Sequence, residues 1–182
     1  MTRQFLSRMA ALAILASAVP AHADLAVGAK APPISTQGAL AGKQIAFDLG
    51  KALRKGPVVL YFYPKAFTQG CTLEAHAFAE ATADFKAAGA TVIGLSNDDV
   101  PTLQRFSSEH CRDKFAVASA SPAVIGAYDV ALKREGLPLG LATRTSYVIG
   151  RDGRIAFAYT NMDYRDHVKL ALEAVRRLKR GS

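Results

Sequence analysis

An α/β fold, a central mixed sheet flanked by helices, is predicted by three observations. Two continuous apolar runs, residues 58–63 (VVLYFY) and 90–96 (ATVIGLS), have the pattern of strands buried on both faces. Stretches of helical period alternate with them, the first over residues 71–88. Near the end, Gly150-Arg151-Asp152-Gly153 separates two apolar segments in the manner of a hairpin turn.

Each element follows in order. Residues 24–42 are rich in Ala, Pro and Gly and read as extended or looped, and residues 44–48 as a short strand. Gly56-Pro57 leads into the first buried strand. The helix over 71–88 carries Leu73, Ala77, Ala81, Phe85 and Ala88 on one face and is closed by Gly89, a residue tolerant of the left-handed conformation that ends helices. Residues 90–96 give the second buried strand. Asp99 and Pro101 are the opening signals of another helix, running to about His110. Residues 115–119 read as a third strand, with a turn at Ser121-Pro122. Residues 143–149 and 154–159 form the arms of the hairpin. A last helix over 164–179 turns Val168, Ala171, Leu172, Val175 and Leu178 inward. Parallel crossovers closed by an antiparallel hairpin match the thioredoxin-like arrangement.

The ends bear on compartment. Residues 1–23 combine Arg3 and Arg8, an apolar stretch from Ala10 to Val19 and a small-x-small site at Ala21-His22-Ala23, the order of a cleaved secretory signal peptide. A membrane anchor is the alternative, but the apolar run is about half of the roughly 20 residues a spanning helix needs. Cleavage after Ala23 sends the protein to the periplasm and leaves one domain, residues 24–182, large enough for a real core. Removing Arg3 and Arg8 lowers the net charge from +8 to +6. Much of the excess, Arg176, Arg177, Lys179 and Arg180, sits at the end of the last helix. Cations there complement the helix dipole, and an exported protein has no nucleic-acid partner to meet. No stable membrane association is expected.

The chemistry centres on Cys71, one of two cysteines in the chain. It opens a helix just after a buried strand, where unpaired N–H groups and the positive dipole end favour thiolate over thiol. Pro64 turns the chain without offering a competing N–H. Thr68 brings a hydroxyl able to donate and accept, and Gly70 allows close backbone approach. A structural disulfide between Cys71 and Cys111 is the plain alternative in an oxidising compartment.

The spacing Pro64-x-x-x-Thr68-x-x-Cys71 after an apolar strand resembles the active-site motif of the peroxiredoxins (AhpC/TSA family). YFYP and GCTLEAHAF resemble the peroxiredoxin Q, or bacterioferritin comigratory protein, subgroup. The likeness extends through VGAKAP, GPVVLYFYP, VIGLSNDD and RTSYVIGRDGRI, nearly the whole mature chain. It implies that Cys71 is the peroxidatic cysteine, that Arg144 completes the site from a late strand, and that the protein is a monomer using no cofactor and no metal. Implied substrates are hydrogen peroxide and organic hydroperoxides, with a thioredoxin-like protein or a small thiol as reductant. A thiolate attacking one peroxide oxygen builds negative charge on the other. The forked, permanently charged Arg144, Thr68 and the Cys71 N–H are suited to receive it.

The chain departs from the subgroup at three places. The resolving cysteine common five residues after the first is His76, which cannot form a disulfide. Phe67 and Gln69 replace the usual Asp and Pro. Cys111 is then the candidate resolving cysteine, one helical turn beyond the place the resemblance implies, and a one-cysteine cycle with direct external reduction stays open beside it. Other readings have weaker support. Glu74 stands where a Cys-x-x-Cys oxidoreductase needs its second cysteine, and His110-Cys111 lacks ligand spacing for a metal carrier. A redox sensor or chaperone on the same scaffold is the non-enzymatic alternative.

Overall fold

The computed structural model describes residues 25–133 and 140–181; the predicted signal peptide lies outside them. Val58–Phe62 form the central strand, β3, every side chain of which is buried. Burial on both faces explains why its sequence is continuously apolar rather than alternating. On one side β3 pairs in parallel with β4 (Thr91–Ser96), which pairs in parallel with β5 (Ala116–Ser119). On the other it meets β6 (Thr145–Ile149) antiparallel, and β6 continues through the expected hairpin into β7 (Ile155–Thr160).

Beyond β5 the sheet has one strand more than the sequence suggests, beside the short strand expected over residues 44–48. Ser35–Leu40 is β1, inside the segment expected to be extended or looped, and forms a hairpin with β2 (Lys43–Asp48). Antiparallel pairing of β1 with β5 completes the order β2-β1-β5-β4-β3-β6-β7. The mixed character comes from these two antiparallel wings around three parallel strands.

Helices cover both faces. Val59, Tyr61 and Tyr63 point to a core shared with α2 (Gln69–Ala87), α3 (Val100–Glu109) and α5 (His167–Arg180). Val58, Leu60 and Phe62 point to the opposite core, under α1 (Leu49–Leu53) and α4 (Pro122–Ala127). The expected turn at Ser121-Pro122 is the start of α4: the Ser121 hydroxyl accepts from the Val124 N–H and Pro122 takes the first helical position.

The inward face of α2 differs from the expected one. Leu73 is 40% exposed, and the buried side chains are Cys71, Glu74, Ala75, Phe78, Ala79, Thr82 and Phe85. Helical geometry leaves no other choice once Cys71 faces the core, because positions three, four and seven residues on share its face. Sorting side chains by hydrophobicity puts Glu74 outside; the fold puts it inside. Gly89 ends α2 as expected, at φ +85°, while Ala90 N–H reaches back to Phe85 O and Gly89 N–H to Lys86 O.

Candidate active site

Cys71 sits in the first turn of α2, behind the loop that leaves β3. Tyr63 N–H still donates to Leu95 O (3.0 Å), so the chain keeps the sheet's direction until Pro64 turns it out. The Asp98 carboxylate holds the loop from below, accepting from Ala66 N–H and from the Ser96 hydroxyl, each at 2.7 Å. Phe67 takes φ +64°, an uncommon conformation for a bulky residue. Its ring is fixed edge-on against Phe106 and His110, at 5.3 and 5.2 Å between centroids, with the Arg105 guanidinium 5.0 Å above it.

Thr68 is the N-cap of α2. Its carbonyl accepts from Thr72 N–H (2.9 Å) and its exposed hydroxyl donates to Lys65 O (3.0 Å), leaving the oxygen's lone pairs as acceptors. Gly70 has a definite role: a Cβ there would stand 3.1 Å from Arg144 Nη2. A side chain there would press on the guanidinium and require it to shift by a few tenths of an ångström.

Arg144 is the residue the fold delivers to Cys71. It precedes β6 and is 4% exposed. Nη2 donates to Cys71 Sγ at 3.6 Å, Nε donates to Met162 O at 2.9 Å, and Nη1 is ion-paired with the Glu74 carboxylate. All three edges of the fork are used, which fixes its plane over the sulfur.

Glu74 is a site residue the sequence reasoning did not find. Its side chain is wholly buried, and burial raises the carboxyl from an ordinary 4.5 to about 8 against the pull of Arg144. An acidic residue three places after Cys71 on a helix was the signal available, since that spacing puts both on one face. His167 was missed as well. It lies under Glu74, fully buried, with Ser146 Oγ at 2.8 Å from Nδ1 and Asn161 O at 2.8 Å from Nε2.

Cys111 occupies the turn just past α3, in the same core cluster as Cys71, Tyr63 and Phe106. Both thiols are free and buried in this structure, so the alternative of a structural disulfide between them is not what it shows. Burial, with Asp113 behind it, pushes the Cys111 thiol well above its usual range. The two residues that follow, Arg112 and Asp113, both have positive φ (51° and 58°). Above the turn, His76 Nε2 lies 3.3 Å from His110 Nδ1, and Arg112 pairs with Glu80 at 3.4 Å. His76 thus stands half-buried at the rim and ties α2 to the end of α3.

Comparison with known proteins gives the family. Residues 27–158 match the AhpC/TSA family. The chain is 29% identical to Peroxiredoxin Bcp of Bacillus subtilis over 157 residues, 82% of this chain and 94% of that protein. It is 34% identical to the chloroplastic Peroxiredoxin Q of Populus jackii over 136 residues, 72% of this chain and 59% of the relative's length. Among solved structures, Peroxidoxin BcpB of Mycobacterium tuberculosis superposes with a TM-score of 0.74 at 28% identity, over 84% of this chain and 97% of that one. Peroxiredoxin Q of Xanthomonas campestris gives 0.69 at 26%, over 79% and 90%. The chain belongs to the AhpC/TSA family and, within it, to the thiol-dependent peroxidases of the Bcp and peroxiredoxin Q group.

Proposed function

We propose that Cys71 is the peroxidatic cysteine, and that Arg144 holds both its thiolate and the peroxide. The observation that carries this is the Arg144 guanidinium 3.6 Å from Sγ, anchored on its other edges by Met162 O and Glu74. The thiolate attacks one oxygen of ROOH and the O–O bond breaks. The sulfur is oxidised to the sulfenic acid, and the departing RO⁻ takes a proton to leave as ROH. Developing charge on that oxygen falls within reach of a fixed cation and the N–H groups of the first turn of α2. The Thr68 hydroxyl, turned to Lys65 O in the free site, accepts from the incoming peroxide, and Pro64 keeps a competing N–H out of the mouth.

Recovery of the sulfenic acid uses Cys111. Its thiol condenses with Cys71–SOH, releasing water and forming the disulfide, which two external thiols then reduce. A bridge requires Cα atoms within about 7 Å, so the start of α2 and the end of α3 must loosen. Two consecutive non-glycine residues of positive φ beside Cys111 support that reading, because such conformations cost of order 1–3 kcal/mol each and favour local opening. The reductant is a thioredoxin-like protein or a small thiol, and the enzyme acts as a monomer in the periplasm after removal of residues 1–23.

Mass spectrometry of the reduced protein after one equivalent of hydrogen peroxide tests the cycle. The expected product is an intramolecular Cys71–Cys111 disulfide, about two mass units below the reduced chain by loss of two hydrogens. Accumulation of sulfenic or sulfinic Cys71 with Cys111 free would establish the one-cysteine cycle instead. Intact mass of the protein from a periplasmic extract tests the export reading, with Asp24 as the expected first residue.

A further inference from the structure

A fully buried histidine at the first position of a helix calls for a physical reason. His167 opens α5 with no exposed surface, where an apolar side chain would seal the core. A polar ring there costs free energy unless its nitrogens are satisfied. Both are. Asn161 O can only accept, so Nε2 carries the hydrogen, and Nδ1 is left as the acceptor of the Ser146 hydroxyl.

These two partners are not arbitrary points of the fold. Ser146 lies two residues along from Arg144, where side chains recur on the same face of the sheet. Asn161 is the neighbour of Met162, whose carbonyl accepts from Arg144 Nε, and Asn161 N–H itself donates to Arg144 O at 3.1 Å. On its third side the imidazole faces Glu74, with Nδ1 3.9 Å from Oε1. That oxygen is buried and has no hydrogen-bond partner among the described residues, while the other Glu74 oxygen holds Arg144. His167 therefore bonds the residue beside one support of the guanidinium, Met162, and faces the inner oxygen of the other, Glu74.

We propose that His167, itself held by Ser146, is a positioning residue for Arg144, fixing the guanidinium over Cys71 through the Asn161–Met162 segment and the inner edge of Glu74. The neutral ring is the working form. Its charged and titratable surroundings are Glu74 from α2, Arg144 from the start of β6, and Asp163 and Asp166 from the segment before α5; the Tyr159 ring of β7 packs edge-on at 4.8 Å. A second buried cation beside Arg144 would repel it, and burial keeps the ring neutral by holding it down to about 4. The proposal rests on the assignment of Cys71 and Arg144 to the site.

The test is a double-mutant cycle on the second-order rate of Cys71 oxidation by hydrogen peroxide. A guanidinium displaced by about 1 Å costs up to about 100-fold, so His167→Phe is expected to be roughly 10- to 100-fold slower than wild type. His167→Gln, which keeps a donor for Asn161 O, recovers part of that loss. In the Arg144→Ala background the His167→Phe substitution should have no further effect, because there is nothing left to position. A His167→Phe rate within about twofold of wild type overturns the proposal. So does a loss of the same factor on top of Arg144→Ala, the mark of a purely structural role. If His167→Phe does not fold, Ser146→Ala and its cycle with Arg144→Ala decide by the same two criteria. A wild-type rate in Arg144→Ala alone would instead sink the site assignment, and so separates the two failures.

Discussion

At the scale of single residues, the site is a problem of charge in a dry place. Arg144 is one permanent cation set against two groups that can each become an anion, the Cys71 sulfur and the Glu74 carboxyl. Burial pushes the Glu74 carboxyl up against the pull of Arg144, and the guanidinium meets the two groups on different edges, Nη1 on Glu74 and Nη2 on the sulfur. Cys71→Ser is expected to abolish peroxide consumption with the fold intact, since a hydroxyl is scarcely ionised near neutral pH; near-wild-type turnover would refute the assignment. Arg144→Ala should slow Cys71 oxidation on the order of 10²- to 10³-fold, with a smaller loss for Thr68→Ser, which keeps the hydroxyl. The check is the rate of peroxide-dependent sulfenic acid formation at fixed pH.

His167 adds a prediction about stability. Its folded value of about 4 lies below the ordinary 6.5, so between the two the unfolded chain binds the proton and the folded one does not. Its contribution is complete above 6.5 and is lost as pH falls toward 4. Glu74 acts in the opposite sense: raised from 4.5 to about 8, its contribution is complete below 4.5 and lost as pH rises through 8. Urea denaturation of wild type and His167→Gln from pH 4 to 8 separates them. The variant should lose the acid-side decline and keep the alkaline one; an unchanged acid slope would mean that His167 is not neutral in the fold.

At the scale of elements, the start of α2 and the end of α3 are built to meet. The loop before α2 presses Phe67 onto Phe106 and His110 of the α3 region, and His76 reaches His110 from the next turn of α2. Cys111 lies under this bridge and next to a turn that takes two left-handed residues without a glycine. With Cys111→Ser, sulfenic Cys71 is expected to persist after one equivalent of peroxide and to overoxidise with excess. Labelling of sulfenic acid followed by mass analysis reads both steps. Identical recovery in wild type and variant would remove Cys111 from the cycle.

At the scale of the whole molecule, two cores on opposite faces of one sheet hold the site still. The Tyr61 ring stacks on Phe78 at 4.3 Å and crosses Gly94, where an added Cβ would come within 2.7 Å of the ring. Phe78→Ala should cost about 3–5 kcal/mol, measured by chemical denaturation. The Tyr61 hydroxyl, by contrast, is buried and has no partner among the described residues. Tyr61→Phe is expected to stabilise by about 1 kcal/mol, since it removes an unmade hydrogen bond; a loss of that size would show that the hydroxyl is bonded.

The sequence by itself determined the local parts. The strands β3 and β4 were legible because burial on both faces makes a sequence continuously apolar. The ends of α2 and α3 were legible because Gly89, Asp99 and Pro101 act through their own backbone chemistry. Cys71, Thr68 and Pro64 were legible because they lie within one loop and one helical turn, where spacing is geometry. Arg144 was named from a resemblance; its contact with Cys71 spans 73 residues of chain, and only tertiary structure makes it. His167 and Ser146 were decided by the fold alone, and so was the burial of Glu74, of which the sequence showed only the spacing from Cys71. A carboxylate or imidazole enters a core only when its partners arrive from other elements, and here they arrive from β6, α5 and the loop between β7 and α5. The exposure of Leu73 has the same origin, since a helix can turn only one face inward and Cys71 chose it.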